Sequence, residues 1–366
     1  MSQAEQLGQN YSKNDRLVHK IATGQLDLQK LLSGLEDRLF ARRLRKIAPG
    51  APIFVTSLPR AGTTLLLEVL AEEPDLVAHS YRHMPFLLCP LLWDKLSGSD
   101  RKAAVAAERA HGDGMMVSYD SVEAFEEMIW KAFYPEHFRE TRIVPWTEKT
   151  LDDGFSKFLK SHMAKLISLD RKAGGQATRY VSKNNANIAR LSWIRRVLPG
   201  AVILIPFRAP EGHIRSMLRQ HRQFLESHKT DPFIREYMES VGHLEFGEAH
   251  RPINFAGWLK GAKALDSSSE AYWATYWCQA MEAVLDAAKD DPNCHILSYD
   301  RLCSDPGPSL ERLAEIAGLG EAPALKAQAG RFRAPTAYRA EPLDLPQDLA
   351  DRVAAVTARL GMASVI

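Results

Sequence analysis

Residues 52–67 read Pro-Ile-Phe-Val-Thr-Ser-Leu-Pro-Arg-Ala-Gly-Thr-Thr-Leu-Leu-Leu, and they constrain the fold more than any other stretch of the chain. The apolar start predicts a strand, the middle a short loop, and the leucines that follow a helix. Backbone N–H groups of such a loop, with the positive end of a helix beginning near Gly62, form a site for phosphate. Arg60 adds a charge, and Thr63 and Thr64 add hydroxyl donors. The segment therefore predicts an α/β protein that binds a phosphorylated ligand.

The loop differs at two positions from a nucleoside-triphosphate loop of the G-x-x-x-x-G-K-[ST] type. The lysine of that motif is replaced by Thr63, and its first glycine by Ser57. These differences weaken the prediction of an ATP- or GTP-hydrolysing enzyme. The order Pro-Arg-Ala-Gly-Thr-Thr resembles instead the 5′-phosphosulfate loop of sulfotransferases, which use 3′-phosphoadenosine 5′-phosphosulfate (PAPS). The resemblance implies that the donor is bound by Arg60, Ala61, Gly62, Thr63 and Thr64.

A second motif lies at residues 201–216, which read Ala-Val-Ile-Leu-Ile-Pro-Phe-Arg-Ala-Pro-Glu-Gly-His-Ile-Arg-Ser. Its apolar start is typical of a buried parallel strand that ends at Arg208, and a Pro-containing turn then leads into a helix that carries Ser216. In PAPS-dependent sulfotransferases, a strand-end Arg and a Ser at this separation clamp the 3′-phosphate that distinguishes PAPS from ATP. The resemblance implies this role for Arg208 and Ser216. A guanidinium suits it, because it donates two parallel hydrogen bonds to a phosphate.

A third motif, residues 179–185, predicts a short strand that ends in a turn containing Lys183, followed by an amphipathic helix over 188–198. This region resembles tyrosylprotein sulfotransferases and the bacterial sulfotransferases related to them, where a Lys in this turn lies by the transferred sulfonate. The resemblance implies that role for Lys183. Catalysis of sulfuryl transfer needs cations and N–H donors at the leaving oxygen, and Arg60, Lys183 and the loop from Gly62 to Thr64 can supply them. The resemblance extends more weakly to a late strand over 296–299, an acidic turn, and a helix over 308–317.

The sequence leaves more than one candidate for the catalytic base. The related enzymes carry a His or a Glu, in the tyrosylprotein group a Glu shortly after the first helix, and this chain has no Glu at that place. The titratable residues there are His79 and His83, and an imidazole suits a base at neutral pH. Glu126 and Glu127, in a helical stretch predicted over 121–133, are the competing candidates.

The resemblance implies a P-loop-containing nucleotide-binding fold, a central parallel sheet flanked by helices with helical insertions. The two phosphate motifs must face one ligand, and no linker or repeat divides the chain, so we expect one domain over residues 1–366. Within it we expect a division into a helical N-terminal segment, a nucleotide-binding core with an acceptor-side helical insertion, a helical acceptor region, and the final core strand with C-terminal helices, at residues 1–50, 51–220, 221–290 and 291–366.

Composition limits the partners and the compartment. Lysine and arginine number 47 against 45 acidic residues, a net charge of +2 that gives no support to nucleic-acid binding. The polar start and the lack of a long apolar run predict a cytoplasmic protein without an integral membrane segment. The histidines and the four cysteines show no metal-ligand spacing, so no metal is expected. A homo-oligomer is possible.

Together these motifs predict a PAPS-dependent sulfotransferase that releases 3′-phosphoadenosine 5′-phosphate (PAP). Its acceptor is a hydroxyl or amine of a small molecule, carbohydrate or lipid that the sequence does not name. One alternative is a small-molecule or nucleotide kinase on the same scaffold, which would need Mg²⁺. Another is a non-catalytic protein that binds PAP, which would keep the phosphate-binding residues and tolerate loss of a base.

Overall fold

Five parallel strands form the central sheet of the chain in a computed structural model, which describes residues 25–84, 86–97, 107–108, 116–117, 125–152, 154–261, 265–333 and 342–366. The strands of this sheet are β1 (Ile53–Val55), β2 (Leu76–Val77), β7 (Arg179–Lys183), β8 (Val202–Phe207) and β9 (Cys294–Ser298), in the spatial order β2-β7-β1-β8-β9. Two short hairpins lie outside it, formed by β3 (Ala107–Glu108) with β4 (Met116–Val117) and by β5 (Phe138–Arg139) with β6 (Arg142–Ile143).

Helices connect and cover the strands. In the first half they are α1 (Leu26–Leu39), α2 (Ala41–Leu44), α3 (Thr63–Leu70), α4 (Pro90–Ser97), α5 (Glu126–Phe133) and α6 (Phe155–Lys172). In the second half they are α7 (Leu191–Val197), α8 (Pro210–Thr230), α9 (Pro232–Val241), α10 (Glu270–Ala288), α11 (Tyr299–Ser304), α12 (Pro306–Ala317), α13 (Pro323–Lys326) and α14 (Gln347–Ala363). Among these described helices, none is both long and apolar enough to cross a bilayer.

Both faces of the sheet are covered, which explains why its strands are apolar without alternation. Along β8, Ile203 and Ile205 face one hydrophobic cluster while Val202 and Leu204 face the other. In the neighbouring strand β1, Phe54 faces the same cluster as Ile203 and Ile205, and the residues on either side of it face the other cluster. Successive side chains of a strand point to opposite sides of the sheet. A parallel sheet buried on both faces reads as a continuous hydrophobic run.

The predicted central parallel sheet flanked by helices is confirmed, and β1, β7 and β8 lie where the motifs place them. The amphipathic run at 188–198 is divided into a 3-10 helix, Asn185–Ala189, and α7. The helix predicted over 121–133 is observed from Glu126, and residues 121–124 lie outside the described residues. Helix α8 runs through the expected subdivision at residue 220.

The late strand differs from its prediction. It ends at Ser298, whose side chain accepts a hydrogen bond from the Arg301 backbone N–H and so begins helix α11, where an acidic turn was expected. A serine in this N-cap role satisfies a backbone donor that the first helical turn leaves unpaired. The helix predicted to begin at 308 begins at Pro306, because proline is well suited to the first helical position.

Candidate active site

The phosphate loop leads from β1 into α3 through Gly62, which has a φ of 90° and caps the helix. A Cβ on this glycine would lie 2.1 Å from the ring of Tyr299, so both the backbone angle and the close contact require glycine. Arg60 also has a positive φ, 71°, a conformation that costs a non-glycine residue about 1 to 3 kcal/mol. Ala61 is fully buried, and Thr63 and Thr64 form the first turn of α3.

Three of the predicted donor-binding residues meet at one place. Arg60 donates from Nε to Ser216 Oγ over 3.3 Å, and Arg208 donates from Nη1 to the backbone carbonyl of Arg60 over 3.1 Å. Arg208 Nε is buried and has no hydrogen-bond partner among the described residues. An unsatisfied buried donor of this kind is uncommon. The arrangement therefore offers two guanidinium groups and a hydroxyl to an anion.

The C-terminal part of the chain completes this site. The carboxylate of Asp300 accepts from the Ala209 backbone N–H at 2.6 Å, at the turn between β8 and α8. Tyr299, besides covering Gly62, places its ring 5.8 Å from the guanidinium carbon of Arg208. Helix α11, which the sequence did not predict, thus holds both phosphate motifs in position.

His213 forms a hydrogen bond with the backbone of the phosphate loop. Trp277 donates to His213 Nδ1 at 3.2 Å, so the proton of the neutral ring is assigned to Nε2, which lies 2.8 Å from the Pro59 carbonyl oxygen. Burial, with smaller contributions from the charges of Arg208 and Arg60, outweighs the hydrogen bond to Pro59 and lowers the pKa of His213 to about 3. The imidazole therefore holds the loop as a neutral donor.

A cavity of about 530 Å³, including the part open to solvent, lies beside the phosphate loop. Leu58 and Pro59 of the loop form one wall, and Lys183, at the end of β7 and 6% exposed, lies in the wall next to it. Its polar lining residues are Glu127, Lys183, Asn184, Asn185, His243, Glu245, His250, Arg251 and Tyr276. The cavity is therefore adjacent to the phosphate loop.

Glu245 is a cavity residue that the sequence motifs did not single out. Its Oε1 accepts from the Asn185 side-chain amide at 3.0 Å, and its Oε2 lies 3.7 Å from His243 Nδ1. Burial by itself raises the pKa of Glu245, but the hydrogen bond and charge of His243 and then the charge of Lys183 bring it down to about 2. Glu245 lies in a segment that matched no motif, so no sequence signal marked it.

The predicted histidine pair lies elsewhere, and the described cavity lining includes neither His79 nor His83. Because the Tyr180 hydroxyl donates to Glu126, it accepts from His79 Nδ1, which leaves His79 Nε2 to accept from His162 at 2.7 Å. Burial lowers the pKa of His79 well below its ordinary value. Burial also lowers the pKa of His83 to about 4.

The competing carboxylates are engaged in buried networks. Glu126 is fully buried and accepts from the side chains of Trp130, Asn187, Tyr180 and Ser182. Glu127 pairs with both terminal nitrogens of Arg190 at 2.7 and 2.6 Å and also accepts from Asn184 at 2.7 Å. Such bidentate pairs fix the position of a carboxylate strongly. Glu127 reaches the cavity wall, whereas Glu126 lies behind it.

Within the part of the chain that the structure describes, no group of three or more His, Cys, Asp or Glu side chains is arranged to hold a metal ion. The four cysteines are buried free thiols.

A model of the Sulfotransferase family matches residues 52–251, more than half of the chain. The match runs from the strand before the phosphate loop to Arg251 in the cavity lining, and the chain belongs to this family. Sulfotransferase STF9 from Mycobacterium avium is similar in structure, with 14% identity over 90% of this chain and 82% of that one and a TM-score of 0.48. Sulfotransferase STF1 from Mycobacterium tuberculosis has 16% identity over 91% and 82%, and a TM-score of 0.46. No curated protein sequence matches the chain significantly.

Proposed function

We propose that this sulfotransferase-family protein takes its sulfuryl group from PAPS and transfers it to a hydroxyl or amine of a small-molecule, carbohydrate or lipid acceptor. The observation that carries the donor assignment is the contact of Arg60, Arg208 and Ser216, which join two separate strand-end motifs. PAPS differs from ATP in carrying a 3′-phosphate, and two guanidinium groups with a hydroxyl suit such a group. The unpartnered Arg208 Nε supports the same assignment.

The donor would be bound at two phosphate sites. The loop from Arg60 to Thr64 would hold the 5′-phosphosulfate through its backbone donors and the N-terminus of α3. Arg208 and Ser216 would hold the 3′-phosphate. PAPS itself supplies the sulfuryl group that is transferred. The residues of the chain bind the two phosphates and fix the position of that group.

Lys183 is proposed to stabilise the negative charge that develops during the transfer. It lies at the end of β7, next to the phosphate loop in the cavity wall. An ammonium group held in a partly dry site stabilises developing charge more strongly than it would in water. The acceptor would occupy the cavity, whose lining includes His243 and Arg251 together with Leu58 and Pro59 of the phosphate loop.

The donor assignment is tested by Arg208→Ala. The substitution removes a charge-assisted partner of the 3′-phosphate, and such a hydrogen bond contributes roughly 1.5 to 3 kcal/mol, so PAP affinity should fall at least about tenfold. Affinity for AMP, which has no 3′-phosphate, should change little. Calorimetric titration of PAP and AMP measures both effects.

Arg222→Ala is the matched control, since Arg222 lies on the surface of α8 and donates to the Ser268 carbonyl. It should bind PAP as the native protein does. Equal losses of PAP and AMP affinity in the Arg208 variant would contradict the assignment of the 3′-phosphate.

A further inference from the structure

The transfer of a sulfuryl group to a hydroxyl requires a group that takes up the acceptor's proton. Among the described residues that line the cavity, the carboxylates and imidazoles are Glu127, His243, Glu245 and His250. Glu127 is occupied by Arg190 and Asn184. His250 lies 2.8 Å from the Tyr272 hydroxyl, and burial lowers the pKa of this imidazole to about 3. The remaining candidates for the base are the neighbouring residues Glu245 and His243.

Glu245 is placed as a base should be. It is 24% exposed on its side chain, so the cavity reaches it, and only part of its acceptor capacity is used by Asn185 and His243. Lys183 acts on it from the wall next to the phosphate loop, since the lysine charge helps to lower the pKa of Glu245. The cation suited to the transferred sulfonate and the carboxylate suited to the acceptor's proton thus line one cavity.

Asn185 links this carboxylate to the phosphate loop. Its amide nitrogen donates to Glu245, and its amide oxygen accepts from the Thr63 hydroxyl at 3.2 Å. Its backbone carbonyl accepts from Thr56 at 3.3 Å. One side chain therefore fixes the distance between Glu245 and the loop proposed to bind the donor.

We infer that Glu245 is the general base of the transfer and that Asn185 is the residue that positions it. The inference rests on the proposed function. A bond forms between sulfur and the acceptor oxygen, and the bond between sulfur and the 5′-phosphate oxygen of PAPS breaks. The phosphate of PAP keeps that electron pair, and the acceptor's proton passes to the Glu245 carboxylate.

Several charged and titratable groups line the cavity together with Glu245. His243 contributes from its own loop, Lys183 from β7, Glu127 from α5, Tyr276 from α10, and His250 and Arg251 from the segment after the 3-10 helix Gly247–Ala249. In the free protein the carboxylate is ionised throughout the physiological range. Attraction of Lys183 toward a bound sulfonate would remove one of the charges that lower its pKa, and the carboxylate would become a stronger base once the donor is in place.

The test compares Glu245→Gln with Glu248→Gln, a surface variant three positions further on whose carboxylate pairs with Arg235. Both are assayed at mildly alkaline pH with [³⁵S]PAPS and two phenols as probes. 2-Naphthol keeps its proton under these conditions, and 4-nitrophenol is largely ionised without help. Release of labelled sulfate to water is measured in the same samples, and PAP binding is measured by calorimetry.

Glu245→Gln should lose at least about a hundredfold in kcat with 2-naphthol, and much less with 4-nitrophenol, because an ionised acceptor needs no base. Its PAP affinity should match that of the native protein and of Glu248→Gln. A merely structural role would reduce transfer to both phenols equally, and that result would overturn the inference. Full activity in Glu245→Gln, with loss in His243→Gln or His83→Gln, would also overturn it.

Asn185→Asp tests the positioning role. A second carboxylate beside Glu245 replaces a hydrogen-bond donor, so the pKa of Glu245 should rise and the acidic limb of the kcat/KM profile should move to higher pH. An unmoved limb with an unchanged rate would overturn the role of Asn185. If the native protein neither binds PAP nor releases labelled sulfate, the proposed donor is wrong, whatever the variants do.

Discussion

The donor side and the cavity side of this molecule are built in different ways. The proposed donor-binding residues follow parallel strands whose register is fixed, with Val55 of β1 opposite Lys183 on one side and Leu204 on the other. Carboxyl ends of neighbouring parallel strands meet at one edge, so residues that follow them come together without any further device. The cavity side depends on loops between helices, where Glu245 is positioned by a side chain from another element. Site residues that follow strands can therefore be predicted from the sequence, whereas site residues on loops between helices cannot.

The largest expected effect lies where the two sides meet. Lys183→Ala should lower kcat by about a hundredfold or more with little change in PAP affinity, since it removes a charge that acts mainly on the transition state. Single-turnover transfer from [³⁵S]PAPS and calorimetry with PAP measure the two quantities. Lys229→Ala is the control, because Lys229 is an exposed residue paired with Glu226. A loss of PAP affinity as large as the loss of rate would place Lys183 on the donor side alone.

A smaller effect is expected from Gly62→Ala, which breaks the donor side without touching the cavity. The left-handed backbone angle costs an alanine about 1 to 2 kcal/mol, and its Cβ would collide with the Tyr299 ring. Thermal unfolding should begin at a lower temperature, and PAP affinity should fall at least about tenfold. Gly307→Ala, inside α12 with open space around it, should be neutral or stabilising. Equal behaviour of the two variants would remove the requirement for glycine in the loop.

The smallest expected effect is that of chelation. Because Arg60, Lys183 and backbone donors supply the positive charge at the proposed donor site, transfer should continue unchanged in excess EDTA. A kinase on the same scaffold would stop, since it needs a bridging Mg²⁺. The measurement is the rate of label transfer with EDTA and after addition of Mg²⁺. Activity lost with EDTA and restored by Mg²⁺ would favour the kinase.

The sequence predicted the sheet and its strands β1, β7 and β8, because hydrophobic runs and strand-end motifs are local signals. The donor-binding roles of the loop and of the residues that follow β7 and β8 stay predictions, but the sequence at least marks where those residues lie. It gave no comparable signal for the base. The sequence favours His79 and His83 because they follow the first helix, yet the structure buries His79 against His162 and Tyr180, residues that lie on α6 and β7. Their catalytic role remains a prediction, and the geometry favours Glu245.

Asn185 and Glu245 illustrate why the remaining residues of the candidate site could not be predicted from the sequence. Asn185 lies two positions after Lys183 in a recognised motif, but its importance comes from bonds to Thr63 and Glu245, which are far from it in the chain. An amide that bridges two elements has no periodicity and no fixed spacing. The same holds for Tyr299, whose contact with Gly62 depends on a helix that begins one residue after a serine cap.

The contact between Tyr299 and Gly62 also bears on how the protein is made. The phosphate loop leaves the ribosome early, together with β1 and α3, whereas the aromatic ring that covers it is synthesised much later. A nascent chain can form the first strand and helix, but the phosphate loop gains its cover only after α11 has emerged and docked. Affinity for the proposed donor would therefore report on the completed tertiary structure, and a chain stalled before α11 would expose an unfinished loop to chaperones and proteases.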